Sequence, residues 1–365
     1  PRRLGERRMR TDLFGLWAIL RTPARARALR PQQWTALVRL ARREFVLGRL
    51  AAALKADDGL WRGLPDKARQ ILDSALCDVI HHQRQLMWET TCLARALDGL
   101  GVPVVLLKGA AYLGDGLAAA VGRVAADLDI LVPAARLRLV EDALIANGWA
   151  AEPKDPYDEH YYRAWMHELP PFRHRERGTV IDVHHAILPL TARPKPPTAL
   201  LMDAAVSCGE TGFARLGDCD LFIHAATHLF HDGEFVTAFR NLVELHDLLE
   251  ELGPRPGFYD RLLARADALG LARYAAYGLR YSHRLLGSRV PPPVLADARR
   301  HLPAPPVLAL MDRLVAGAVM GARVPRGKPR LLWAQRMLYM RAHWLRMPPA
   351  MLARHLAIKA FKRAR

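Results

Sequence analysis

Val104-Val105-Leu106-Leu107-Lys108-Gly109, then Arg123, then Asp127-Leu128-Asp129-Ile130-Leu131-Val132 is the stretch whose reading decides the fold. Val104 to Leu107 is a short, dense apolar run with β-branched residues, the pattern of a buried strand. Lys108-Gly109 closes it, and alanine-rich helical sequence follows. Asp127 to Val132 reads as a second strand. Pro133 stops it and opens a helix to about Asn147-Gly148. Thr179-Val180-Ile181-Asp182-Val183-His184 is a third strand candidate. Strands and helices thus alternate between residues 102 and 188, which predicts an αβ unit.

Outward from this unit the sequence turns helical. Residues 1–65 read as helices broken by Pro23, Pro31 and Pro65. A long helix runs from a cap at Asp66 to about Leu97, with Ile71, Leu72, Ala75, Leu76, Val79 and Ile80 as its apolar stripe. Gly99 and Gly101 end it. On the other side Pro189, Pro194, Pro196 and Pro197 mark a linker, and helical sequence resumes near Asp218. Pro254 and Pro256 interrupt it, and further helices fill 258–320. The expected class is α+β, in four parts: a helical region 1–98, an αβ catalytic domain 99–200, a helical domain 201–290 and a basic helical region 291–365.

Half of the 365 residues are hydrophobic (51%), enough for a substantial core and against global disorder. The formal charge of +18 favours an anionic partner such as nucleic acid, nucleotide or an acidic membrane surface. The abundance of Arg, Ala and Leu makes part of that charge compositional. No apolar run approaches the ~20 residues of a membrane span. Arg2 and Arg3 precede the apolar run Leu13–Leu20, which is short and closely followed by arginines, so a buried helix is expected there rather than an export signal. Cys77, Cys92, Cys208 and Cys219 form no C-x-x-C pair and read as reduced thiols. The expected location is the cytoplasm, with peripheral contact to the inner membrane left open.

Asp127 and Asp129 stand at i and i+2 of a strand, so their carboxylates project to one side while Leu128, Ile130 and Val132 point to the other. Adjacent carboxylates repel, and a hard cation, Mg²⁺ or Mn²⁺, relieves the conflict. Asp182 lies between apolar neighbours in its own strand and needs a partner. It shares a face with His184. If the two strands are adjacent, three carboxylates converge, as two-metal phosphoryl and nucleotidyl transfer requires. Lys108-Gly109, between strand and helix, suits phosphate: glycine permits close approach and lysine adds charge. Arg123, four residues before Asp127, could reach the phosphates or leaving pyrophosphate. Each of these also has an ordinary reading as a polar strand end, a surface lysine or a turn glycine. Their order along the chain gives them joint weight.

Leu106-Leu107-Lys108-Gly109, Arg123, Asp127-Leu128-Asp129-Ile130-Leu131-Val132 and Ile181-Asp182-Val183-His184 together resemble a bacterial family of uncharacterised nucleotidyltransferases within the polymerase-beta-like superfamily. The resemblance covers roughly 95–250. It implies a small mixed sheet with helices, an L-K-G loop, a D-x-D strand and a third acid followed two residues later by His. It implies transfer of a nucleoside monophosphate from an NTP, with Asp127, Asp129 and Asp182 as metal-binding and catalytic acids. Lys108, Gly109 and Arg123 would be nucleotide-binding. The wider superfamily carries Gly-Ser in the loop, whereas Gly109-Ala110 stands here, so no serine is present to contact phosphate.

His224, His228 and His231 fall at i, i+4 and i+7 and share a helix face; Asp232 and His246-Asp247 follow. A His-Asp metal-dependent phosphohydrolase is therefore a rival reading, beside a helix packed on the catalytic unit. His184 and His228 are accessory candidates. His167-Glu168 is not read as a ligand pair. In the C-terminal region Arg336, Arg341, Arg346, Arg354, Lys359 and Lys362 interleave with Trp333, Leu338, Tyr339, Trp344 and Phe361. RNA binding, an anionic membrane and simple packing are all open. A non-catalytic, degenerate transferase fold held by that tail is the third reading.

Overall fold

The prolines and glycines that punctuate the sequence also bound the helices. The computed structural model describes residues 12–152, 156–231, 235–320, 329–348 and 350–353. The chain opens with α1 (Leu13–Arg21), α2 (Pro31–Arg43), α3 (Leu47–Lys55), α4 (Asp58–Arg62) and the long α5 (Asp66–Ala96). Asp66 is the first residue of α5 and not its cap: Pro65 holds that position, and the Asp66 carboxylate accepts from Arg69 at 2.6 Å. Leu72, Ala75 and Val79 are buried as the stripe predicts, whereas Ile80 is exposed. Gly99 and Gly101 follow α5 with positive φ, which glycine adopts without steric cost. The Leu13–Leu20 run forms α1, which buries Leu13, Leu16, Trp17 and Ile19. The predicted positions Arg2 and Arg3 lie outside the described residues.

The αβ part follows as β1 (Val105–Leu106), α6 (Lys108–Gly114), β2 (Asp127–Leu131), α7 (Leu137–Ala146), β3 (Trp149–Ala151), α8 (Pro156–Trp165), β4 (Phe172–His174), β5 (Val180–His184), α9 (Thr198–Asp203), β6 (Val206–Ser207) and β7 (Ala214–Arg215). One mixed sheet results, in the order β3-β4-β5-β2-β1-β7-β6. β2 is parallel to β5 and antiparallel to β1, and β1 is parallel to β7. The fold is the expected α+β with a mixed sheet and helical flanks. The sheet gains β3 and β4 on one side and β7 and β6 on the other. These are two- or three-residue strands, too short to carry a readable alternation. Leu128, Ile130 and Val132 are fully buried beneath the central strands.

The rest is helical: α10 (Asp218–His231), α11 (Ala238–Leu252), α12 (Phe258–Ala268), α13 (Ala272–Tyr281), α14 (Pro292–Ala298), α15 (Pro305–Met320) and α16 (Pro329–Arg346). One apolar core runs continuously from Leu13 in α1 through the sheet to Leu338 in α16. α16 buries Ala334, Leu338 and Ala342 and leaves Trp333, Tyr339, Met340 and Trp344 exposed. Arg341 turns inward, donating to the Phe230 carbonyl at 2.7 Å. Arg354, Lys359, Phe361 and Lys362 lie outside the described residues. Among the described residues no single helix is long and apolar enough to cross a membrane; α14 and α15 reach that composition only as a pair, bent by 110°. The four thiols are free.

The N-terminal helices meet the αβ part backbone to backbone. A Cβ on Gly48 in α3 would overlap Val79 and the Gly122 carbonyl, and one on Gly122 would overlap the backbone of Gly48 and Arg49. Arg49 locks the contact, pairing with Asp247 of α11 and donating to the Ala119 carbonyl at 3.0 Å. Gly122 also has φ of 66°. Gly122→Ala should therefore lower unfolding stability by about 2 kcal/mol or more, through overpacking and an unfavourable backbone. Denaturant unfolding checks this; a wild-type midpoint would mean the helices pack elsewhere.

Candidate active site

The register of the central strands builds the site. In the β2–β5 pair Asp129 lies directly opposite Asp182, and Asp127 is two residues earlier on the same side of β2. Oxygens of Asp127, Asp129 and Asp182 come within 4.8 Å of one another. The three acids expected to converge do so. They differ in setting: Asp127 is exposed, Asp182 half-buried and Asp129 buried.

Asp129 is the most heavily partnered. Lys108 Nζ donates to its Oδ1 at 2.8 Å, and His184 Nε2 lies 3.0 Å from the same oxygen. Burial works against its charge, but Lys108 and His184 outweigh burial and hold the carboxyl far below the usual range. Burial likewise opposes the Lys108 ammonium, and Asp129 more than restores it, so that pKa rises. Lys108 reaches this position from a left-handed backbone (φ 44°) at the start of α6, an uncommon conformation for a non-glycine residue and typical of constrained functional turns. Asp182 has no such cation. Burial, reinforced by the charges of Asp129 and Glu168, pushes its carboxyl up to about 7.

His184, an accessory candidate from the sequence, shares the strand face of Asp182. It reaches across to Asp129 instead, and its Nδ1 lies 3.4 Å from Glu168 Oε2. Glu168, set aside from the sequence, is thus part of the network, and His167, Glu168 and His184 form a second convergent group of donor atoms. Glu168 pairs with His184 through an isolated bridge beside β5, a tertiary relation that local sequence does not carry.

Gly109 and Arg123 come together, but for a different reason from the one expected. A Cβ on Gly109 would overlap the Arg123 guanidinium and lie 2.8 Å from the Ala125 Cβ, so the missing side chain makes room for arginine. Arg123 Nε donates to Glu244 Oε1 at 2.9 Å, with its guanidinium 6.0 Å from the Tyr112 ring centroid. Burial disfavours this charge and Glu244 outweighs burial, so Arg123 stays cationic within a buried pair. Ala110 is fully buried, so at this position the side chain packs in the core. Arg240 of α11 flanks the pair, with Nε 3.3 Å from Glu244 Oε1. Thr237, Arg240, Asn241 and Glu244 line the cleft in front of the acids. Counted from the N-cap Thr237, they fall at i, i+3, i+4 and i+7 on one face of α11, a spacing that the sequence reading passed over.

The histidine helix packs against this site. His228 lines the cleft beside Lys108. His224 is buried, and burial followed by the charge of Lys108 lowers its pKa to about 3, leaving it neutral. His231 meets the edge of Tyr274. His246 Nδ1 is 2.7 Å from Ser288 Oγ, and Asp247 pairs with Arg49. Among the described residues neither convergent group of metal-type donors contains His224, His228, His231, His246 or Asp247, and Asp232 lies outside the described residues. The His-Asp dyad of the rival hydrolase has structural partners instead.

The family model described as uncharacterised nucleotidyltransferase matches residues 30–287. The chain belongs to that nucleotidyltransferase family. The match is wider than the 95–250 expected from the motifs and takes in α2, α3 and α5 as well as α10 to α13. No curated protein and no solved structure matches the chain.

The acid cluster of this nucleotidyltransferase suits a hard divalent cation. Its donors are all carboxylate oxygens, and the charge conflict that raises Asp182 is the kind that a cation removes. A proton on Asp182 must leave before a cation is held. Mn²⁺ affinity should therefore rise with pH by roughly tenfold per unit below about pH 7 and level off above it. Calorimetric titration across that range checks this, and Asp182→Asn should flatten the profile. A flat wild-type profile would contradict the raised carboxyl.

Proposed function

We propose that the protein transfers a nucleoside monophosphate from an NTP to an acceptor and releases pyrophosphate. The observation that carries this reading is the strand register that brings Asp127, Asp129 and Asp182 together beside a cleft lined by Asp127, Asp129, Lys108 and Arg240. A divalent cation, Mg²⁺ or Mn²⁺, held by the three acids would neutralise the phosphates and stabilise charge on the attacking and leaving oxygens. Asp182 completes the cation site as a carboxylate, since the arriving cation displaces the proton that burial and the neighbouring acids favour on it in the empty site. Lys108 keeps Asp129 ionised and oriented and offers its remaining N–H donors to phosphate oxygens. His184, held between Asp129 and Glu168, orients the Asp129 carboxylate. Arg240 lines the cleft with Asp127 and supplies the phosphate-binding guanidinium expected of Arg123; it shares Glu244 with Arg123 but is less buried than Arg123. Gly109 admits Arg123 and so sets that wall. His228 contacts substrate from α10.

The decisive assay offers each labelled NTP with Mg²⁺ and cell extract as the source of acceptor. Wild type should transfer label to an extract component, and Asp127→Asn/Asp129→Asn should reduce transfer to background while keeping the wild-type melting temperature. Undiminished transfer by the double variant would remove the acids from the chemistry.

A separate observation supports a role for α16. Trp333, Met340 and Trp344 stand at i, i+7 and i+11, one exposed apolar stripe on a helix whose opposite face is buried. From Arg313 to the C-terminus there are thirteen Lys and Arg and no acid. Exposed tryptophans in a cationic setting suit the interface of an anionic bilayer. The protein should float with vesicles containing anionic phosphatidylglycerol and not with neutral phosphatidylcholine vesicles, and Trp333→Ala/Trp344→Ala should abolish flotation. Binding to an RNA oligonucleotide with no flotation would overturn the membrane assignment.

A further inference from the structure

The cleft in front of the acids continues well past them. It is a cavity of about 650 Å³, within the range of small-ligand sites. One end holds Lys108, Asp127, Asp129, His228, Arg240 and Asn241. The other end is built by the N-terminal helices and is mostly apolar, with Phe45, Leu47, Ile71 and Ala75, Val124 beside them, and one cation, Arg42. Its lip carries Ser74 and Asp78. Ile71, Ser74, Ala75 and Asp78 are i, i+3, i+4 and i+7 of α5, so one face of that helix looks into the cavity.

Three features set this wall apart from ordinary surface. Phe45 sits in the turn between α2 and α3 with φ of 59°, a conformation an aromatic residue rarely adopts, and its ring is half exposed. A bulky apolar ring held in solvent by a strained backbone is typical of a ligand contact. The wall is also rigidly placed, through the Gly48–Gly122 contact and the Arg49–Asp247 pair. Finally, the Asp78 carboxylate makes no hydrogen bond or ion pair among the described residues; only its backbone carbonyl is engaged, by His82. The cavity is thus cationic and acidic at one end, and at the other mostly apolar with Arg42 and the free acceptor of Asp78. A nucleoside triphosphate has the matching layout: a charged tail, and a base with an apolar face and a polar edge.

We infer that the Phe45–Ile71–Val124 wall is the nucleobase subsite, with Phe45 packing on the base and Asp78 accepting a hydrogen bond from an exocyclic amine at its edge. The inference rests on the nucleotidyl-transfer reading and extends it to substrate choice. Adenine, cytosine and guanine carry such an amine. Uracil presents one N–H flanked by two carbonyl oxygens, which the Asp78 carboxylate repels. The favoured substrate is an NTP with an amino-bearing base, and UTP is the poorest. The N-terminal helices that build this wall fall within the family match, so the subsite belongs to the same unit as the acids.

The test titrates ATP, GTP, CTP, UTP and inorganic tripolyphosphate, each with Mg²⁺, onto the full chain. Phe45→Gly is the informative variant, because glycine keeps the left-handed turn and removes only the ring. It should weaken the best-bound NTP by roughly tenfold, in the range for loss of one stacking partner, and leave tripolyphosphate binding unchanged. Phe45→Trp should retain or improve NTP affinity. UTP should bind weakest to wild type, and Asp78→Asn should remove that disadvantage, because an amide also donates. Equal NTP affinity in Phe45→Gly and wild type overturns this inference alone, and UTP binding as tightly as the other nucleotides overturns the role of Asp78. A folded wild type that binds none of the nucleotides overturns the transfer reading and the subsite together.

Discussion

The parallel pairing of β2 with β5, with Asp129 opposite Asp182, is the constraint on which the site depends. A strand displaced by one residue would turn its acid to the buried face and expose the core leucines and isoleucines. The fully buried Leu128, Ile130, Ile181 and Val183 therefore hold the register, and the register holds the acids. Packing energy spent on the core thus fixes the chemistry above it.

Three carboxylates placed so closely would oppose folding without compensation. The protein meets this in two ways. Asp129 is neutralised by Lys108 and His184, with Glu168 behind the histidine. Asp182 receives no such partner and keeps a raised affinity for a proton. One acid stays fixed as an anion while its neighbour gives up a proton as a cation arrives, so proton release and cation binding are coupled at this site. The second buried pair, Arg123 with Glu244, ties the loop before β2 to α11. Removing either partner would strand a buried charge, so the pair links the helical region firmly to the sheet.

The helices on either side are walls of one cleft. α10 and α11 supply His228, Arg240 and Asn241; the turn after α2, with α3 and α5, supplies the mostly apolar side, and α2 itself adds Arg42. The close glycine contact between α3 and the loop before Arg123 leaves little freedom between them. This explains in physical terms why the family match extends back to residue 30. The N-terminal helices are part of the functional unit because the cleft has no second side without them.

The sequence by itself determined the central strands, the long helix after Pro65 and the pairing of carboxylates on one strand face. Each rests on local periodicity or on proline and glycine punctuation, which a linear reading detects. It marked Asp182 and Lys108 as candidates beside those acids through their order along the chain, and the pairing of β2 with β5 and the Lys108–Asp129 contact brought them there. Tertiary structure alone decided who partners whom. Gly109 serves Arg123, Arg123 serves Glu244, and His184 serves Asp129, because these contacts join residues 14, 121 and 55 positions apart. Phe45 and Asp78 line one cavity with Asp127 and Asp129, beside the close approach of α3 to Gly122. No local pattern encodes that meeting, since it depends on two backbones approaching where side chains are missing.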